Sequence, residues 1–142
     1  MTLLDRAKKL LRETDSTCIA LIGEESYLSK ERGISPILNQ LEKNEQFFKG
    51  AIVADKVVGK SAAMLYKKAQ IHSLYASIIS EHALRALKDT EIIVTYEKVV
   101  PYIINRQGDG MCPMEASVLE IEEVNEAYEA LRNKMAMMRK NQ

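Results

Sequence analysis

The chain has 142 residues, of which 46% are hydrophobic and 28% are charged. This length and this balance predict one globular domain with a packed core, spanning residues 1–142. Twenty basic residues offset twenty acidic ones, so no net charge draws the protein onto nucleic acid or an anionic membrane. No apolar run approaches the roughly 20 residues that span a bilayer, and the amphipathic N-terminus does not resemble a signal peptide.

The two cysteines, Cys18 and Cys112, lie far apart in the sequence and in unlike contexts. This pattern argues against a disulfide framework and favours a reducing, cytoplasmic location. Cys18 stands among β-forming residues, and we expect it to be a small buried side chain of a strand.

Local signals define the first third of the chain. Thr2 begins a capping-box pattern, and apolar residues recur on one face after it, so we predict a helix from about 3 to 13. The next segment is rich in β-forming residues around a short polar turn, which predicts a hairpin with strands at about 17–22 and 26–29. Pro36 then marks the start of a short helix.

Residues 50–69 allow two interpretations. In the preferred one, a short extended stretch ends at Val53, and Asp55 caps a helix that runs to about Ala69. In the alternative, the strand continues to Val58 and Gly59 makes the turn.

Strand and helix signals alternate in the second half. Residues 73–80 have the composition of a fully buried strand, and Ser80 is placed to cap the helix that follows. Residues 91–100 predict the next strand, and residues 101–110 predict an irregular loop. Alternation of this kind implies parallel strands joined by right-handed crossovers, with the hairpin as an antiparallel edge. We therefore predict an α/β fold, a three-layer α/β/α sandwich with a mixed sheet.

A further helix start follows the loop. Cys112 occupies an N-cap position, Pro113 the first helical position and Glu115 the third, where a capping-box acid belongs. The last helix carries apolar residues at helical spacing from Val124 to Met138, with acids first and bases last, as the helix dipole favours.

The order of these elements, a first helix, a strand hairpin and then alternating helices and strands, is that of the cytidine deaminase-like fold. Four stretches resemble more specifically a family of small uncharacterised proteins with that fold. The resemblance covers nearly the whole chain and implies the fold without implying an activity. The stretches are "ADKVVGKSAA", "SIISEHAL", "VPYIIN" and "GDGMCPME".

The chain departs from the zinc motifs of true deaminases. Those enzymes carry His-x-Glu or Cys-x-Glu at one helix start and Pro-Cys-x-x-Cys at the next. Here the first corresponding stretch, "DKVVGKSAA", has no His, Cys or Glu, and the second, "SEHAL", has no cysteine pair. A catalytic zinc needs three protein ligands, so we predict no metal and no zinc-dependent deaminase activity.

In the deaminase-like fold, a pocket lies where the starts of those two helices meet. Backbone amides at helix starts attract phosphate or carboxylate. Alternatively, these residues only cap helices and face solvent. The "GKS" triplet lacks the upstream glycine of a P-loop and is not taken as one. The candidate residues at the two helix starts are Asp55, Lys56, Lys60, Ser61, Ser80, Glu81 and His82.

The stretch "NRQGDGMCPME" supplies the remaining candidates. Asn105 and the glycines suit a loop with left-handed backbone angles, and we expect that loop to cover the pocket mouth. Arg106 could then bind an anion and Asp109 a hydroxyl. Cys112, at a helix start, is a candidate nucleophile if His82 can act as its base, or else a structural residue.

Three functions follow from these candidates. The first is a nucleotide- or nucleotide-diphosphate-binding protein on a deaminase-like fold that has lost its catalytic zinc. The second is a metal-free transferase or hydrolase acting on a nucleotide through Cys112, Asp55, Asp109 or Glu81. The third is a protein-interaction scaffold, and a homodimer is the default symmetric assembly.

Overall fold

The computed structural model describes residues 1–140, and in this range no helix is long and apolar enough to cross a membrane. The helices are α1 (Leu3–Glu13), α2 (Ser35–Lys43), α3 (Lys60–Ala69), α4 (Glu81–Leu87), α5 (Pro113–Ser117) and α6 (Val124–Lys140). The strands are β1 (Cys18–Ile22), β2 (Glu25–Ser29), β3 (Ile52–Val58), β4 (Ser73–Ser80) and β5 (Ile93–Val100).

The strands form one mixed sheet in the order β2-β1-β3-β4-β5. β1 pairs antiparallel with β2 and with β3, whereas β3, β4 and β5 run parallel. The predicted hairpin and the predicted parallel pairing are therefore confirmed, as is the mixed α/β class. Because parallel strands end at the same edge of a sheet, the chain leaves β3, β4 and β5 on one side, at Gly59, Ser80 and Pro101.

Alternate residues of β1 contribute to different hydrophobic clusters. Ile19 and Leu21 pack with Ala7 and Leu11 of α1, and with Ala54 and Tyr75 of the neighbouring strands. Cys18 and Ala20 belong to the larger core, which contains buried residues of α2, α3, α4 and α6. This separation follows from strand geometry, since successive side chains point to opposite faces of a sheet.

Most helix starts lie where the sequence predicts them. Thr2 forms a complete capping box with Asp5 at the start of α1. The Ser80 hydroxyl accepts the Ala83 N–H at 3.1 Å and caps α4. Cys112 is the N-cap residue of α5, but its side chain makes no capping hydrogen bond.

The preferred prediction for residues 50–69 is wrong, and the alternative is confirmed. β3 continues to Val58, where it still pairs with Ile79 of β4, and α3 begins only after Gly59. The β-branched residues around Asp55 favour a strand, and pairing on both sides of β3 adds to that preference. Asp55 is therefore a buried residue within a strand and caps no helix.

Candidate functional site

The carboxylate of Glu115 connects the C-terminal ends of the three parallel strands, through residues at or shortly after each end. Its Oε2 accepts the Lys60 N–H at 2.5 Å and the Ser80 hydroxyl at 2.6 Å, and its Oε1 accepts the Ile103 N–H at 2.8 Å. Glu115 is 0% exposed. An acid without solvent needs such partners, since an ionised carboxylate is costly to bury without hydrogen bonds.

Gly59 leaves the space that the Glu115 carboxylate occupies. A Cβ at position 59 would lie 2.9 Å from Glu115 Oε2 and 2.9 Å from Ile103 Cγ1. The backbone there is extended, with φ of −96°, so the glycine is needed for room and not for an unusual dihedral angle. No side chain of the cap residue satisfies the first amides of α3, and Glu115 does so from a distant part of the chain.

The helix start predicted at Asp55 lies at Lys60 instead, and its anion position is filled by the protein itself. An acidic side chain is favoured at this helix end, and Glu115 occupies that position. The sequence suggested that Glu115 would cap its own short helix. Instead, the backbone N–H of Cys112 donates to the Ile103 carbonyl at 2.7 Å, and the carboxylate of Glu115 points to α3 and α4.

A cleft of about 370 Å³ opens beside this buried carboxylate. Lys60 contributes its side chain, which is only 6% exposed and whose Nζ donates to the Leu119 carbonyl at 2.8 Å. The same Nζ lies 3.3 Å from Glu122 Oε1, but the Glu122 side chain is 84% exposed. We call this the Lys60 cleft; it is lined by Lys60, His82, Arg85, Ala86, Leu119, Glu120 and Glu122.

Two further basic side chains line the Lys60 cleft. Arg85 NH2 lies 2.8 Å from His82 Nδ1. Because a guanidinium can only donate, this geometry makes His82 Nδ1 the acceptor and leaves Nε2 to carry the proton. His82 is therefore held by Arg85, one helical turn away, and forms no hydrogen bond with Cys112.

Asp55 belongs to a buried network within the core. Its Oδ2 accepts the Tyr66 hydroxyl at 2.6 Å, its Oδ1 accepts the Val57 N–H at 3.3 Å, and Cys18 Sγ lies 3.5 Å from the Tyr66 oxygen. Burial raises the pKa of Asp55 to about 7. Burial also raises the pKa of Cys18 and of Tyr66, with the Asp55 charge as a further cause.

The remaining predicted site residues do not converge on one point. Asn105 Oδ1 accepts the N–H groups of Gly108 and Asp109, and its Nδ2 donates to Asp109, so this pair stabilises its own turn. Gly108 has φ of 77°, as its loop position predicts. Exposed side chains are those of Lys56, Glu81 and Arg106; Ser61 is buried, and Cys112 packs partly against the main core.

The structure therefore brings Lys60 and His82 into one cleft and places Ser80 next to the Lys60 amide. Sequence reasoning missed Arg85 and Glu122, and it gave Glu115 a local role. The position of Arg85, three residues after His82, could have shown that both lie on one helical face. Among residues 1–140, no group of three or more His, Cys, Asp or Glu side chains could hold a metal ion.

Fold and site together define a mixed α/β protein whose parallel strand ends are joined by an internal carboxylate. The family model for a domain of unknown function, DUF1893 (TM1506), matches residues 6–135, and the chain belongs to this family. The crystal structure of a DUF1893 family protein, TM1506 from Thermotoga maritima, is similar with a TM-score of 0.84. The two are 30% identical, and the match covers 93% of this chain and 89% of that one. No match to a curated protein was found.

Glu115→Gln tests the role of the buried carboxylate. A glutamine keeps the size but offers one acceptor oxygen, so its NH2 group must face either the Ile103 N–H or the Lys60 N–H and Ser80 hydroxyl. We expect the free energy of unfolding to fall by about 2–3 kcal/mol in urea titrations.

Glu122→Gln is the matched control, because Glu122 also contacts Lys60 but from an exposed position. Its free energy of unfolding should stay within about 0.5 kcal/mol of the wild type. Equal effects of the two substitutions would contradict the role assigned to Glu115.

The raised pKa of Asp55 predicts how stability depends on pH. Between about pH 4 and pH 7, Asp55 is protonated in the folded chain but ionised in the unfolded one. The folded state then binds more protons, so the free energy of unfolding falls as pH rises through this window, by up to roughly 4 kcal/mol. Asp55→Asn should remove this fall, because an amide resembles the protonated acid.

Urea titrations at several pH values from 4 to 8 measure the effect. Asp109→Asn serves as the control, since it removes an exposed acid and should keep the wild-type pH profile. If Asp55→Asn keeps the wild-type slope as well, the buried acid does not cause it.

Proposed function

We propose that this protein binds a small phosphorylated metabolite, with nucleotides and nucleotide diphosphates as the first class, in the Lys60 cleft. The observation that carries the proposal is the convergence of three hydrogen-bond-donating side chains, the cationic Lys60 and Arg85 and the imidazole of His82, in a cleft of about 370 Å³. That volume lies at the lower end of the range for small-molecule sites. The site is formed by side chains and needs no metal.

The buried carboxylate determines how the phosphate would bind. Glu115 already takes the Lys60 amide at the start of α3, so a ligand cannot use it while α5 stays in place. Glu122 is different, because its side chain is 84% exposed and can move from the Lys60 ammonium into solvent. A phosphate can replace Glu122 at the Lys60 ammonium while the bond from Lys60 to Leu119 remains.

A neighbouring groove supports a ligand with an apolar part. This groove has a volume of about 380 Å³, and Arg85 lines both it and the Lys60 cleft. A nucleotide can place its phosphates against Lys60 and His82 and its base or sugar against this apolar surface, with Arg85 between them. The groove is lined by Leu84, Arg85, Leu87, Lys88, Ile92 and Val94.

We further propose that the fold is cytidine deaminase-like, a three-layer α/β/α sandwich without catalytic zinc, and that the protein is cytoplasmic. The element order, the separate clusters under α1 and under the other helices, and the two free cysteines support these statements. The enzyme alternative receives no such support. His82, its candidate base, is hydrogen-bonded to Arg85, and Asp55, one of its candidate acids, lies in the core.

Thermal unfolding in the presence of a nucleotide panel tests the proposal. The panel contains purine and pyrimidine mono- and diphosphates, with inorganic pyrophosphate as a ligand without a base. At about 100 times its Kd, a bound nucleotide should stabilise the folded protein by roughly 2.7 kcal/mol. Arg85→Glu should abolish the stabilisation, because it reverses a charge between the cleft and the groove.

Arg106→Glu is the charge-matched control, since Arg106 is exposed on the loop after β5. It should leave the stabilisation intact. If Arg106→Glu abolishes it and Arg85→Glu does not, the ligand lies at the loop and the cleft assignment is wrong. If no nucleotide at millimolar concentration shifts the transition, the proposed ligand class is wrong.

A further inference from the structure

β5 is an edge strand that exposes large hydrophobic side chains among the polar Thr95, Glu97 and Lys98. Within residues 1–140 it pairs with β4 alone, at the end of the sheet. Three of its large hydrophobic side chains are exposed: Ile93 by 55%, Tyr96 by 45% and Val99 by 37%. Long apolar edge strands tend to pair with another strand, and proteins usually protect them.

The strand at the opposite edge of the sheet, β2, is protected because it is short and mostly polar where it is exposed. β2 has five residues, against eight in β5. Its exposed positions include Glu25 and Ser26, and Leu28 is its one large exposed hydrophobic residue. The two edges therefore differ in length and in exposed hydrophobic side chains, and β5 is the longer and more hydrophobic of the two.

The backbone N–H and C=O groups of β5 point alternately to β4 and to the open edge of the sheet, so only every second residue can hydrogen-bond to a partner strand. The Ile93 N–H donates to the His72 carbonyl, toward β4. Because backbone groups alternate sides along a strand, the odd-numbered residues of β5 bond to β4. The even-numbered residues Val94, Tyr96 and Lys98 direct their N–H and C=O groups to the open edge.

Symmetry and charge restrict how two copies of β5 can pair. A two-fold antiparallel pairing must be centred on one residue, which then faces itself. Centring on Glu97 places two carboxylates opposite each other, and centring on Lys98 places two ammonium groups opposite each other, which is unfavourable. Centring on Thr95 shortens the overlap and leaves Val99 without a partner.

Centring on Tyr96 avoids these costs. It pairs Ile93 with Val99 of the second copy, Tyr96 with itself and Val94 with Lys98, so no like charges face each other. The three exposed apolar side chains are the ones that this register brings together, and Val94, Tyr96 and Lys98 all bond in the correct direction. Aromatic and β-branched cross-strand pairs are stabilising.

We propose that β5 pairs antiparallel with β5 of a second copy of this chain, centred on Tyr96, to form a continuous ten-stranded sheet. About six backbone hydrogen bonds would form across the two-fold axis, two for each outward-facing pair. This interaction surface does not depend on the ligand proposed for the Lys60 cleft.

Sedimentation velocity tests the assembly. The chain has a mass of 16.1 kDa, so the wild type should sediment as a dimer of about twice that mass. Ile93→Lys with Val99→Lys should give monomers, because the introduced lysines face each other. Ile93→Lys with Val99→Glu should keep the dimer, because the introduced charges are opposite. Both variants should keep the wild-type circular dichroism spectrum, since the replaced side chains are exposed.

Leu28→Lys, at the other sheet edge, is the control and should leave the dimer intact. A wild type that remains at 16.1 kDa at its highest soluble concentration would overturn the proposal. So would a double-lysine variant that stays dimeric. A dimer that Leu28→Lys dissociates would place the interface at β2 instead.

Disulfide formation tests the register. In a Cys112→Ser background, Ile93→Cys and Val99→Cys are made separately, mixed and oxidised. Opposed residues of a non-hydrogen-bonded pair lie about 4.5 Å apart between Cα atoms, whereas two copies of position 93 would lie about 20 Å apart. Only the mixture should form a crosslinked dimer. Crosslinking of either variant alone, or none in the mixture, would overturn the register.

Discussion

The hydrogen bonds of the Glu115 carboxylate are the interaction on which the arrangement at the ends of the parallel strands depends. Three donors meet it without solvent: the first amide of α3, the hydroxyl that caps α4, and an amide of the loop after β5. Each donor lies at, or shortly after, the end of a different parallel strand. The carboxylate, in the space left at Gly59, therefore ties α5 to the strand ends, while Met114 and Val118 anchor the same segment in the main core. Leu119, Glu120 and Glu122, which line the Lys60 cleft, follow directly after α5.

This arrangement changes the chemistry that the fold can offer. Open α/β sheets commonly bind ligands beyond the carboxyl ends of their strands, where helix starts present backbone amides. Here the amide of Lys60 is already used inside the protein. In the proposed site, a ligand would instead contact the side chains of Lys60, His82 and Arg85, on the surface next to the start of α3. A binding site made of long side chains can adapt its shape more than one made of backbone.

The sequence predicts those parts of the fold that local signals determine. The capping box at Thr2, the hairpin, the buried strand β4 and the cap at Ser80 each depend on residues within a few positions of one another. The prediction that Asp55 caps a helix is wrong. Its hydrogen-bond partner, Tyr66, lies 11 residues away, whereas an N-cap pattern considers only neighbouring residues. Glu115 is the extreme case, with partners 55, 35 and 12 residues away in the chain.

Hydrogen exchange at the two backbone amides that donate to Glu115 would show how often α5 separates from the strand ends. Lys60 N–H and Ile103 N–H lie far apart in sequence, yet both are shielded by the same carboxylate and can exchange with deuterium only when it leaves. Their exchange rates should therefore rise and fall together, although one belongs to a helix and the other to an irregular loop. This shared rate would measure how often α5 separates from the strand ends under native conditions.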